Sequence, residues 1–67
     1  MDPHKVVNEL HRNYCKRYNV NKYDVSVGLM AWEPVIFVTV KDLKTGELIE
    51  DRLFDYYGKE IERRAGI

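Results

Sequence analysis

Two histidines and one cysteine near the start of the chain are the residues best suited to metal or thiol chemistry. His11 and Cys15 are four residues apart, the spacing that brings two side chains together on a helix, whereas His4 lies two turns from His11. A nucleophilic Cys15 would need a base, an environment that favours the thiolate and an oxyanion donor, and His11 supplies only the first of these. Two ligands without a second cluster do not make a metal site, so we expect neither a metal ion nor catalysis here.

Four carboxylates, Glu47, Glu50, Asp51 and Asp55, form a second group later in the chain. Paired carboxylates carry out acid–base catalysis when burial separates their proton affinities, but a charged sheet edge that resists aggregation has the same composition. The four glycines are isolated from one another, so no phosphate-binding loop is present. The sequence therefore predicts a protein that is not an enzyme and has no cofactor.

Length and composition set the class of protein. With 67 residues, 45% of them hydrophobic and 33% charged, the chain has room for a single globular domain, residues 1–67. One cysteine excludes an intramolecular disulfide framework, and together with the absence of a signal peptide it predicts a cytoplasmic protein. The longest uncharged run, residues 25–32, is far shorter than the roughly 20 residues of a membrane-spanning helix.

The first 22 residues predict an amphipathic helix and its end. Asp2 is suited to the N-cap and Pro3 to the first helical position. The helix is expected to extend to about Tyr18, and Asn19 and Asn21 are expected to end it, because asparagine tolerates a left-handed cap and favours turns. Its apolar stripe consists of Pro3, Val6, Val7, Leu10, Tyr14 and Tyr18.

Residues 23–50 predict three antiparallel strands. Residues 23–32 alternate, and Tyr23, Val25, Val27, Leu29 and Ala31 are expected to face the core. Glu33-Pro34 predicts a tight two-residue hairpin before a central strand over 35–41. Residues 42–46 predict a hairpin loop in which Asp42 bonds the turn and Gly46 takes a positive φ, and a return strand begins at residue 47.

The last part of the chain predicts a second helix with two alternative starts, capped by Asp51 or by Asp55. Its apolar positions are Leu53, Phe54, Tyr57, Ile61 and Ala65, and Arg63, Arg64, Gly66 and Ile67 suit its end. The predicted fold is therefore α+β in the order α-β-β-β-α, a three-stranded antiparallel meander with two helices packed on one face.

This order of elements resembles that of double-stranded RNA-binding domains. That family binds through lysines at the start of its second helix and through a long basic or His-bearing loop between its first two strands. Here the corresponding segments read DYYGKE and Glu33-Pro34, so no binding residue is carried over. The segment VTVKDLKTGELIEDR is similar to the D-x-x-T-G-E hairpin near the end of FlaG-type flagellar accessory proteins, and it covers about a quarter of the chain. Such hairpins recur in unrelated proteins because of their turn chemistry, so no family is assigned.

The predicted function rests on the face of the sheet that the helices leave open. Met30, Trp32, Val35 and Phe37 are expected to cluster there around the Glu33-Pro34 hairpin, either as a partner surface or with Trp32 and Phe37 paired across the strands. We expect a small non-enzymatic protein-interaction or regulatory accessory module, of a kind that phages and mobile elements also encode. It would bind a protein partner or form a homodimer, and it would not bind membranes.

The alternative function is nucleic-acid binding through the first helix. The net charge of the chain is zero, but residues 1–22 contain five basic and two acidic residues, a net charge of +3. Lys5, Arg12, Lys16 and Lys22 would contact phosphates, and Tyr18 or Tyr23 would stack on bases. Attraction between this helix and the acidic remainder of the domain accounts for the same asymmetry.

Overall fold

The computed structural model of the protein describes residues 2–61, which form one helix and four strands. In chain order these are α1 (Pro3–Arg17), β1 (Tyr23–Leu29), β2 (Val35–Asp42), β3 (Leu48–Asp55) and β4 (Glu60–Ile61). The strands make one antiparallel sheet in the order β1-β2-β3-β4, so each strand pairs with its neighbours in the sequence.

Helix α1 begins as predicted. The Asp2 side chain accepts a hydrogen bond of 3.0 Å from the backbone N–H of His4, and Pro3 occupies the first turn. The predicted left-handed asparagine cap is wrong, because within residues 2–61 only glycines have positive φ and the cap residue, Tyr18, is extended. Asn19 instead accepts a hydrogen bond from the N–H of Asn21 with its side chain, which turns the chain toward β1.

The core lies between the apolar stripe of α1 and one face of the sheet. Ile36, Val38 and Val40 of β2 have no exposed surface, and Tyr14 of α1 and Phe54 of β3 complete the buried cluster. Around it pack the partly buried residues Val6, Val7, Leu10, Tyr18, Tyr23, Val25, Val27, Leu29 and Tyr56. The predicted core faces of α1 and of the first strand are therefore confirmed except at Pro3, which is not part of this cluster, and at Ala31, which is exposed beyond the end of β1.

The predicted second helix and the order α-β-β-β-α are wrong. Residues 48–55 form strand β3, which pairs with β2 along its length, and residues 60–61 form a fourth strand. The α+β character remains, but the sheet has four strands and a single helix within residues 2–61. The predicted helix end at Arg63, Arg64, Gly66 and Ile67 lies outside the described residues.

Asp55 does not cap a helix but organises a tight turn. Its side chain accepts hydrogen bonds of 2.9 Å from the N–H groups of Tyr57 and Lys59, and Gly58 has a φ of 86°. The β2–β3 turn has the same design, since the Asp42 side chain accepts from Lys44 and Thr45 and Gly46 has a φ of 77°. The 42–46 turn was predicted, and the 55–59 turn is its unpredicted counterpart.

The β1–β2 connection is longer than predicted. Strand β1 ends at Leu29, and the last ladder bond runs from the N–H of Met30 to the carbonyl of Val35. The ladder stops there because the N–H of Val35, which would otherwise bond the carbonyl of Met30, bonds the carbonyl of Glu33 instead. A strand reaching Trp32 and a two-residue hairpin are therefore wrong. Within residues 2–61, no helix is long and apolar enough to span a membrane.

Candidate functional site

The sheet face opposite α1 has an apolar row at one end. Gly28, Phe37, Leu53 and Ile61 lie opposite one another across the four strands. Residues opposite one another in antiparallel strands share a face, and this set alternates with the buried Ile36, Val38 and Phe54. The row is therefore on the side of the sheet that α1 does not cover.

Phe37 lies flat across Gly28. A methyl group added at Gly28 would lie 2.8 Å from Cζ and 2.9 Å from Cε1 of the Phe37 ring. The ring therefore fills the space that a side chain at position 28 would occupy, which explains how Phe37 is half-buried on a face without a covering helix. A glycine covered by a cross-strand aromatic ring stabilises both positions in a sheet.

Beside this row is the surface defined here as the hairpin patch, which consists of Met30, Trp32, Val35 and Phe37. The structure places all four near the β1–β2 connection, with Trp32 92% exposed and Met30 37% exposed. Val35 and Phe37 are half-buried. The interpretation in which Trp32 and Phe37 cover each other is wrong, because the indole is almost wholly in solvent and the Phe37 ring lies over Gly28.

The remainder of the open face is polar except for Leu48, which lies opposite Lys41 and is 48% exposed. Asp24 lies opposite Lys41, and Ser26, Thr39 and Asp51 form the next row. Most of the large apolar side chains of this face are therefore near the β1–β2 connection, where one partner surface could contact them together.

A charged network covers the helix side of β3, where the second helix was expected. Arg52 Nε donates to Glu50 Oε1 at 2.8 Å, and Arg52 Nη1 donates to Glu60 Oε2 at 2.8 Å. The Tyr18 hydroxyl donates to Glu50, which ties the end of α1 to the sheet. Glu50 is the least exposed of the charged groups, with 11% of its side-chain surface accessible.

These contacts shift the proton affinities of the network. The hydrogen bonds from Tyr18 and then from Arg52 lower the pKa of Glu50, because both stabilise the carboxylate. The bond to Glu50 raises the pKa of Tyr18, and burial raises the pKa of Tyr14. The pairing of Arg52 with Glu50 and Glu60 raises the pKa of its guanidinium. The charges are compensated locally, so the arrangement is suited to structure rather than to proton transfer.

The basic residues of the alternative function are all exposed. Lys5, Arg12 and Lys16 lie on the outer side of α1, and Lys22 lies in the turn that follows it. The tyrosines expected to stack on bases are occupied elsewhere. The Tyr18 and Tyr23 rings make an edge contact at 5.3 Å between centroids and pack against the core.

The structure brings His11 and Cys15 together but adds no further ligand. The Cys15 Sγ lies 3.7 Å from His11 Nε2 on the exposed surface of α1. Within residues 2–61 no three His, Cys, Asp or Glu side chains converge on a possible metal position.

Sequence reasoning missed the network of Tyr18, Glu50, Arg52 and Glu60. Glu50 and Arg52 are two residues apart, which is a same-face spacing in a strand. That signal becomes visible only when residues 48–55 are interpreted as a strand rather than as the start of a helix.

No protein-family model, curated protein or solved structure matches this chain. The candidate site therefore stands on its own geometry.

Proposed function

We propose that the protein is a non-enzymatic interaction module, a regulatory or accessory protein that docks on a protein partner or a second copy through the hairpin patch. The observation that carries this proposal is the 92% exposure of Trp32 beside the partly exposed Met30. We also propose a cytoplasmic location, because the single cysteine offers no disulfide framework.

Trp32 is almost fully exposed, so its side chain contributes almost nothing to the core. We therefore expect it to contribute to binding. Tryptophan is enriched among the residues that dominate binding energy at interfaces, because its large ring loses contact with water when a partner covers it. Met30 beside it has a flexible, polarisable side chain that adapts to different partner shapes. The half-buried Val35 and Phe37 extend this apolar surface onto the rigid sheet.

The test is quantitative affinity capture from an extract of the native host with three baits. These are the wild type, Trp32→Ala and the matched control Leu43→Ala. Leu43 is 57% exposed in the β2–β3 turn, at the opposite end of the sheet from the hairpin patch. A partner of the patch is captured by wild type and by Leu43→Ala and is lost with Trp32→Ala.

Binding is then measured with the purified partner. Trp32 is the one tryptophan of the chain, so its fluorescence reports directly on the patch when the partner lacks tryptophan or is observed separately. A blue shift of the emission is expected as the indole leaves water. Equal capture of every protein by all three baits, with no shift of the emission, contradicts the proposal.

A second candidate function is nucleic-acid binding through α1. It is supported by Lys5, Arg12 and Lys16, which are exposed on one side of the helix and take part in no ion pair within residues 2–61. It predicts an affinity that falls steeply with salt and is lost when all three are changed to alanine. The absence of a gel shift at low salt with single- and double-stranded DNA and RNA eliminates it.

A further inference from the structure

The outer edge of β1 is an unprotected strand edge. β1 is at the end of the sheet, and within residues 2–61 no strand pairs with its outer side. Native edges are usually blocked by lysine, proline, a bulge or very short length. β1 contains no lysine or proline, has seven residues and pairs with β2 without a register shift.

Unlike β1, β3 has features that oppose the addition of a strand. β3 carries the consecutive charged residues Glu50, Asp51 and Arg52, and its ladder with β2 has a register shift at Val40 and Lys41. Both features oppose the addition of a further strand along residues 48–52, where β4 does not pair with β3. β1 has one charged residue, Asp24, at a position opposite Lys41.

We infer that β1 pairs with β1 of a second copy of this chain, in an antiparallel arrangement whose two-fold axis passes through Ser26. The sheets of the two copies then form one continuous sheet. This interface uses the backbone edge of β1 and adjoins the hairpin patch only where Phe37 covers Gly28, and it does not depend on the proposed function.

The sequence of β1 is self-complementary in this register. Val25 lies opposite Val27 of the second copy, and Tyr23 lies opposite Leu29, so apolar residues meet on the helix side. On the open side Ser26 meets Ser26, and Asp24 meets Gly28 rather than another carboxylate. Apolar cross-strand pairs stabilise a sheet and like charges directly opposite one another destabilise it, so this register gains the first and avoids the second.

The helix side of β1 has exposed apolar surface that such a dimer would bury. Val25, Val27 and Leu29 are only partly buried, whereas the β2 residues beside them have no exposed surface. A two-fold axis perpendicular to the sheet keeps both helices on the same side. The half-exposed residues of the two β1 strands would then lie between the two helices, which would bury them.

The helix flank on this side carries no Lys, Arg, Asp or Glu. Val6, Glu9, Leu10 and Asn13 line a cleft shared with Tyr57 and Gly58, so that flank of α1 faces the β3–β4 turn. The opposite flank, by helical geometry, carries His4, His11 and Cys15 and faces the β1 edge. The flanks of two copies can therefore approach one another without repulsion between lysine or arginine side chains.

The experiment places like and opposite charges on the proposed axis. In Ser26→Lys two lysines meet across the interface, and in Ser26→Glu two glutamates meet, so each variant alone is expected to dimerise about fivefold more weakly. Mixing the two variants should restore a dimer that contains one copy of each. The matched control is Thr39→Lys, which changes the residue opposite Ser26 on β2, one strand away from the edge.

The measurements are mass by light scattering over a concentration series and native mass spectrometry of the mixture. Wild type and Thr39→Lys are expected to approach twice the monomer mass of 8.0 kDa. Hydrogen exchange of the β1 amides in wild type provides a readout that needs no substitution, and their protection should fall on dilution. A wild type with the monomer mass at every concentration and dilution-independent β1 exchange overturns the inference. Failure of the mixed variants to pair, or equal weakening by Thr39→Lys, also overturns it.

Discussion

Replacing Gly28 with alanine is expected to destabilise the protein through Phe37 alone. The added methyl would lie 2.8 Å from Cζ and 2.9 Å from Cε1 of the ring, whereas carbon atoms in contact prefer about 3.5–4.0 Å. Gly28 is not among the positive-φ glycines, so the backbone itself accepts alanine. The ring must therefore lift from the sheet, and the whole cost is a packing cost.

Two opposing effects set the magnitude. Overpacking of this kind costs about 1–3 kcal/mol, and because the ring lies on the open face it can move into solvent, which favours the lower end. Alanine also restricts the unfolded chain and stabilises by about 0.4–1 kcal/mol. The net loss is then about 0–2.6 kcal/mol and is expected in the lower half of that range. In a domain of this size each kcal/mol lowers Tm by about 4–8 °C.

The assay is a double-mutant cycle by urea unfolding with Gly28→Ala, Phe37→Val and the double variant. Valine is too short to reach across position 28, so Gly28→Ala should become neutral or stabilising in that background. The expected coupling energy is about 1–3 kcal/mol. A Gly28→Ala variant that is more stable than wild type, or a coupling energy near zero, would refute the ring-over-glycine packing.

Three further predictions test the turn and the charged network. Gly58→Ala should destabilise by about 1–2 kcal/mol in thermal melts, because φ is 86° there, whereas an exposed helical glycine would gain about 1 kcal/mol from the same change. The lowered pKa of Glu50 stabilises the fold above its unfolded pKa of about 4.3, and this stability is lost as the pH falls through the folded value. Glu50→Gln should therefore reduce neutral-pH stability by about 1 kcal/mol and flatten the acid limb of urea midpoint against pH. The raised pKa of Tyr18 implies that stability falls as the pH rises above about 10, and Tyr18→Phe should reduce this alkaline loss in the same titration.

Local signals predicted the parts of the fold that depend on neighbouring residues. Asp2 and Pro3 start α1 through contacts within its first turn, and Asp42 and Gly46 close their loop in the same way. The central position of β2 followed from its run of apolar residues. In each case the residues that determine the structure lie within a few positions of one another.

The prediction of a second helix failed because the apolar residues of 53–61 fit both the spacing of a helix and the pairing of a β-hairpin. Leu53, Tyr57 and Ile61 are spaced for a helix, but Leu53 and Ile61 also face each other across the β3–β4 hairpin. Pairing of β3 with β2 decides between them, and that pairing joins residues up to 20 positions apart, such as Val35 and Asp55, which lie beyond the span of one helical pattern. Asp55 with Gly58 was the local signal for a turn, and it has the same chemistry as Asp42 with Gly46.

The candidate site was only partly predictable for a related reason. Alternation placed Phe37 on the open face, but its position over Gly28 depends on strand register, which alternation does not specify. The exposure of Trp32 depends on where β1 ends, and the bond from the N–H of Val35 to the carbonyl of Glu33 determines this by removing that N–H from the ladder. The Tyr18–Glu50 contact joins residues 32 positions apart, so no local pattern contains it.

Because residues 48–55 and 60–61 form strands and not a second helix, the side of the sheet that suits an apolar partner can be deduced. A helix over β3 would need apolar side chains beneath it, but that side carries Glu50, Arg52 and Glu60, which are paired with one another. A helix packed over this network would bury its charges, at a cost of several kcal/mol per ion. The helix side of β3 is therefore a poor site for an apolar partner. The four side chains of the hairpin patch are uncharged, and the carboxylates next to them are Glu33 in the connection and Asp55 opposite Val35. We therefore expect an apolar partner to bind at Trp32 rather than on the helix side of β3.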